Sequence, residues 1–120
     1  MEHKAISIRP FIGAKDFGLC RSFYRDLGFE EDVLMHNLSV FKTNSIAFYL
    51  QDYYLRDWIE NTMIFIEVDN VDRYHEELSA LSLPAKYKGV KLSPIRVESW
   101  GKECFLHDPS GVLWHFGQFS

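Results

Sequence analysis

The sequence predicts an α+β fold made of two copies of one unit, a strand, a helix and then about three strands. The strands would form a curved mixed sheet with helices on one face. Three observations carry this prediction. Alternating apolar and polar segments surround two amphipathic helical runs; the order of elements repeats once along the chain; and strand parity sorts side chains into one apolar face and one mixed face.

Taken in order, Ala5 to Phe11 alternates Ile6 and Ile8 against Ser7 and Arg9, as a strand with one buried face would, and Pro10 weakens its end. Asp16 precedes a helical run in which Phe17, Cys20, Phe23, Tyr24 and Leu27 recur at three- and four-residue steps, with Gly28 as its stop. Strands are expected over Glu30 to Met35, Leu38 to Lys42 and Ser45 to Leu50, separated by turns at His36-Asn37 and Thr43-Asn44. Gln51 to Asn61 reads as a linker with one helical turn. Thr62 to Val68 alternates again, and Asn70 can cap a helix carrying Val71, Tyr74, Leu78 and Leu81, which Pro84 would end. Tyr87 to Leu92 and Ile95 to Glu98 are weaker strands around Pro94.

Lys102 to Gln118 closes the chain as a hairpin. Its turn is Asp108-Pro109-Ser110-Gly111, where Asp108 can accept backbone N–H bonds, Pro109 presets φ and Gly111 supplies a left-handed conformation. A loop of these four residues sets Cys104 opposite His115 and Phe105 opposite Trp114.

The repeat makes Ser7 the equivalent of Met63, if two extra residues lie between Phe11 and Lys15, and Tyr49 the equivalent of His115. The expected organisation is one domain over residues 1–120, with module one at 4–51, a linker at 52–61 and module two at 62–120. Such a length suits one domain that buries roughly two-thirds of its unfolded surface. Apolar residues at 47% and aromatics at 16% suffice for a core and leave large rings to line a cavity.

A net charge of −4 argues against a protein that must neutralise nucleic-acid phosphates and tolerates a neutral or cationic ligand. Cys20 and Cys104 have neither the number nor the spacing of a disulfide framework or a zinc site and suit a reduced cytoplasm. The first residues lack the apolar run of a secretory signal, and no stretch approaches the roughly 18 apolar residues of a membrane helix. A cytoplasmic protein is expected, with no membrane and no nucleic-acid partner.

By parity, Ile6, Ile8, Phe48, Ile64, Ile66, Val68, Phe105, Trp114 and Phe116 share the helix-covered face. Ser7, Arg9, Tyr49, Met63, Phe65, Glu67, Cys104 and His115 share the other, which describes a ligand cavity better than a second core. His115 reads either as a hydrogen-bonded polar side chain of the cavity wall or as a general base, since imidazole titrates near neutral pH. Cys104 reads as a small strand residue or, opposite His115, as an imidazole-activated thiolate. His107 falls on the helix side, and His3, His36 and His75 read as surface. Arg9 either clamps an anionic group or pairs with Glu67. Trp58 and Trp100 either rim the cavity or anchor an interface, and Cys20 belongs to the core.

Phe23-Tyr24-Arg25-Asp26-Leu27-Gly28-Phe29, Val68-Asp69-Asn70-Val71, Trp100-Gly101 and Asp108-Pro109-Ser110-Gly111 with its following strand, taken with the duplicated order, resemble the vicinal oxygen chelate superfamily over nearly the whole chain. That superfamily includes glyoxalases, fosfomycin-modifying enzymes, extradiol dioxygenases and bleomycin-resistance proteins. The resemblance implies paired βαβββ modules in a cupped mixed sheet with helices on the convex face, in a homodimer. It also implies metal ligands, in the metal-dependent members, at positions that here are Ser7, Tyr49, Met63 and His115, with Arg9 replacing Ser7 if the first strand slides by two residues. Only His115 is a good ligand for a divalent ion, so no metal and no other cofactor is expected.

The expected function is a metal-free protein of the bleomycin-resistance kind. It would hold an aromatic or cationic small molecule among Arg9, Tyr49, Met63, Phe65, Glu67, Trp100, Cys104 and His115. The alternative is a glyoxalase-like lyase or isomerase with His115 as the proton-transfer residue.

Overall fold

The computed structural model describes residues 1–44 and 46–120; the predicted start of a strand at Ser45 lies outside them. The first module contains β1 (Phe11–Gly13), α1 (Phe17–Asp26), β2 (Glu30–Met35), β3 (Leu38–Thr43) and β4 (Ile46–Gln51). A short α2 (Arg56–Ile59) supplies the helical turn of the connection. The second contains β5 (Met63–Glu67), α3 (Val71–Ala80), α4 (Leu83–Lys86), β6 (Lys91–Leu92), β7 (Arg96–Glu98), β8 (Gly101–His107) and β9 (Leu113–Phe119). The modules form two mixed sheets, ordered β1-β4-β3-β2 and β5-β9-β8-β6, with β7 also paired to β8.

Local chemistry explains both long helices. Asp16 accepts the Leu19 N–H at 3.0 Å and Asn70 accepts the Arg73 N–H at 3.0 Å, each satisfying a donor that a first helical turn leaves unpaired. Gly28 then takes φ +107°, and Ser82 takes the left-handed region at the matching place after α3. Pro84 does not end α3, contrary to expectation. That helix has already stopped, and Pro84 sits in the first turn of α4, where its missing N–H costs nothing.

The repeat is tighter than the sequence alignment suggested. Phe11 and Phe65, Asp16 and Asn70, and Gly28 and Ser82 recur at one fixed spacing, so no extra residues separate β1 from α1. Phe11 pairs with Tyr49 as Phe65 pairs with His115, which makes Arg9, not Ser7, the counterpart of Met63.

The first strand also begins later than predicted. Residues 1–10 form an arm without regular pairing, and the ladder starts where the Pro10 carbonyl accepts the Tyr49 N–H at 2.9 Å. Pro10 has no N–H of its own to extend the ladder toward the N-terminus. Ile6 and Ile8, expected beneath a helix, are 98% and 94% exposed.

The core gathers Ile12, Phe41, Phe48 and Leu50 from the first sheet with Cys104, Leu106, Trp114 and Phe116 from the second. Tyr24 of α1 joins them, its ring 4.9 Å from that of Phe48 and 5.8 Å from that of Trp114. Its hydroxyl donates to Asp108 Oδ2 at 2.6 Å and accepts the Trp114 indole N–H at 2.9 Å. Asp108 is fully buried, and burial raises its carboxyl above the ordinary value despite the bonds it accepts.

Asp108 also corrects the closing hairpin. Its Oδ1 accepts the N–H groups of Ser110, Gly111 and Val112, so Val112 belongs to the turn and the last ladder pair is His107 with Leu113. The loop thus has one residue more than expected, and a slip of one exchanges the faces of β8. Phe105 lies opposite His115, and Cys104 lies opposite Phe116 in the core.

Candidate functional site

Among the described residues, the second sheet has one face under α3 and one face that no helix covers. Along the open face, Phe65 of β5 and Phe105 of β8 flank His115 of β9, and in the next row Glu67 and Glu103 flank Gly117. Gly117 leaves space above β9. A Cβ there would come within 2.3 Å of the Phe65 ring, which occupies that space. From it Phe65 reaches Trp100 at 6.0 Å and Phe119 at 5.9 Å, and Trp100 lies 5.3 Å from Phe119. Phe65 remains 45% exposed, so these rings form a surface and not a core.

His115 is the polar centre of this surface. Phe105 meets its ring edge-on at 4.8 Å, Phe65 lies nearly parallel at 6.3 Å, and Nδ1 is 3.0 Å from Glu103 Oε1. Arg96, opposite Glu103 on β7, places its guanidinium over Phe105 at 5.7 Å.

A hollow of about 500 Å³ lies between the arm and the two sheets, lined by Ile8, Phe29, Phe48, Ile64, Ile66 and Trp114, among others. Phe65 and Glu67 also border it, so β5 serves the hollow and the aromatic surface alike.

Solved structures match this architecture closely. The bleomycin-binding protein of Streptomyces verticillus in complex with copper(II)-bleomycin superposes with a TM-score of 0.83 at 24% identity, over 99% of this chain and 100% of that one. These likenesses show the fold, the one that bleomycin-binding and glyoxalase/bleomycin resistance/dioxygenase proteins share. An antibiotic-binding protein from Streptomyces sp. CB03234 matches with a TM-score of 0.70 at 20% identity, over 98% of this chain and 100% of that one. Lactoylglutathione lyase of Agrobacterium tumefaciens matches with a TM-score of 0.72 at 17% identity, over 97% and 96% of the two chains. No protein-family model and no curated protein matches the sequence.

Within this fold, Phe65, Trp100 and His115 come together, with Met63 and Glu67 on the same face of β5. Tyr49 lies on the open face of the other sheet and stacks on Phe11 at 4.6 Å. Arg9 belongs to the exposed arm and not to a strand, and it forms no ion pair with Glu67 among the described residues. Cys104 is fully buried on the core side, where burial and then the Glu103 charge push its thiol up to about 11, which removes the activated-thiolate reading. His107 shares the open face instead of the helix side. Trp58 packs beneath Gly13 and beside Tyr53, supporting β1 and not the aromatic surface.

Glu103 and Phe119 escaped the sequence reading. Both follow from the five-residue loop, which puts Glu103 in the row beside His115 and Phe119 opposite Gly101. The signal was Asp108 itself, whose side chain can hold three successive N–H groups and so lengthen the turn.

The metal that the sequence resemblance implies does not fit this donor set. With Arg9 in the first position, and Tyr49, Met63 and His115 in the others, one imidazole stands where three or more anionic or imidazole donors are required. Elsewhere among the described residues, no three His, Cys, Asp or Glu side chains converge. The chemistry available to the site is stacking on aromatic faces, acceptance of hydrogen bonds by imidazole and carboxylate, and attraction of positive charge.

Proposed function

We propose that this protein is a metal-free small-molecule binding protein resembling bleomycin-resistance proteins, which holds an aromatic or cationic ligand in an aromatic-lined cavity of a homodimer. The observation that carries the reading is the partly exposed surface of Phe65, Trp100 and Phe119, with His115 beside Phe65, on a sheet face that no helix among the described residues covers. The likeness in fold to proteins solved with bleomycin supports it. Arm residues Ile6 and Ile8, almost wholly bare beside an apolar hollow, support the dimer, because a second copy would take them out of water.

Calorimetric titration with bleomycin tests the binding. Saturable heat is expected, and Phe65→Ala and Trp100→Ala should each weaken it about three- to tenfold, as expected for one aromatic contact. Absence of saturation, or variants that bind as the wild type does, would remove the basis of the reading. Elemental analysis of protein purified without chelator or metal resin should find no stoichiometric divalent metal; about one ion per chain would contradict the metal-free part.

A glyoxalase-like lyase or isomerase is the second reading, favoured by the Glu103 carboxylate that orients His115. Turnover that vanishes in His115→Ala while binding persists would select it.

A further inference from the structure

We propose that Glu103 locks His115 in the tautomer protonated at Nδ1, so that Nε2 is a standing acceptor in the aromatic site and selects ligands presenting an N–H donor, above all a cation, over ligands presenting an anion. This rests on the ligand-binding reading of the same face.

The lock follows from the contacts of the ring. At neutral pH a carboxylate only accepts hydrogen bonds, so a 3.0 Å approach of Nδ1 to Glu103 Oε1 requires the proton on Nδ1. The other neutral tautomer would set the Nδ1 lone pair against the carboxylate. Turning the ring over would replace Nδ1 by a carbon and strand a carboxylate whose side chain is only 12% exposed. Phe105 edge-on and Phe65 nearly parallel restrain the ring from two sides.

Nε2 is left available. It has no hydrogen-bond partner among the described residues, yet it is not among their buried unsatisfied atoms, so it meets open space. A neutral imidazole protonated at Nδ1 offers only a lone pair there, which an ammonium, amidine or amide N–H satisfies and a carboxylate or phosphate oxygen does not.

The surrounding charges act in the same direction. Glu103 and Glu67 flank Gly117, on which the Phe65 ring rests, so two carboxylates border an aromatic face. Arg96 stands across from Glu103 in the ladder, but its guanidinium lies over Phe105, and it forms no ion pair with Glu103 among the described residues. A cation over Phe65 and Trp100 would gain from ring faces and carboxylates together.

Two measurements on the full-length protein test this. Long-range proton–nitrogen NMR at neutral pH should show His115 with a pyrrole-like Nδ1 and a pyridine-like Nε2; a proton found on Nε2 overturns the lock outright. Benzylammonium, benzyl alcohol and benzoate carry the same ring with different heads. Wild type should bind benzylammonium at least tenfold more tightly than benzoate. In Glu103→Gln, whose amide can donate to Nδ1 and move the proton to Nε2, that ratio should fall below threefold. Equal binding of benzoate and benzylammonium by wild type, or an unchanged ratio in Glu103→Gln, overturns the selectivity. Failure of all three probes to saturate overturns the ligand-binding reading, and the selectivity with it, while the imidazole spectrum still decides the tautomer.

Discussion

Glu31 lies on the helix-covered face of β2, opposite Phe41, where an unpaired carboxylate would be costly. It accepts Arg21 Nε–H, an Arg25 guanidinium N–H and the hydroxyl of buried Ser39, each at 2.6 Å. Burial pushes its carboxyl up, but the bonds from Arg21, Ser39 and Arg25 outweigh burial and hold it below the ordinary value of 4.5. A carboxyl depressed in the folded state adds stability that is fully present above its unfolded value and is lost as pH falls through the folded one. Urea denaturation should therefore show stability falling on acidification below about 4.5, part of it attributable to Glu31. Glu31→Gln should cost roughly 1–2 kcal/mol at neutral pH, the exposed Arg25 end being screened, and should flatten the acid slope. Parallel slopes in the two proteins would refute the assignment.

At the scale of elements, the β8–β9 hairpin and the edge strand β5 together make the aromatic surface, and Gly117 is where they meet. A methyl group there would stand 2.3 Å from the Phe65 ring, closer than any relaxed contact. Gly117→Ala should push Phe65 off its seat, lowering stability by about 1–2 kcal/mol through overpacking and weakening bleomycin binding several-fold. The effect on binding should disappear in a Phe65→Ala background. A double-mutant cycle with additive losses would show that Gly117 acts by some other route.

For the whole molecule, the arm is the element with no place of its own. Residues 1–9 lie exposed, and Ile6 and Ile8 have no apolar cover, while the hollow beside them is lined by Phe29, Phe48 and Trp114. If the proposed homodimer is held by the arm, removal of residues 1–9 should leave a folded monomer by sedimentation equilibrium, with the circular dichroism of the full chain. A truncated protein that still sediments as a dimer would place the interface elsewhere. No helix among the described residues is long and apolar enough to cross a membrane.

Local patterns of the sequence determined the elements. Asp16 and Asn70 announce the helix starts, Gly28 the stop, and the alternation of Met63 to Glu67 the strand from which Phe65 reaches the site. His115 was legible from the repeat and the hairpin, whereas Trp100 was readable only as a loop aromatic that either rims the cavity or anchors an interface. Tertiary structure alone decided which face β8 presents. One residue, Val112, drawn into the turn by a buried Asp108 carboxylate, carries Cys104 into the core and brings Glu103 beside His115. Periodicity gives a strand two faces but cannot say which is buried when turn length is set by a side chain whose own partner, Tyr24, arrives from a helix 84 residues away in sequence.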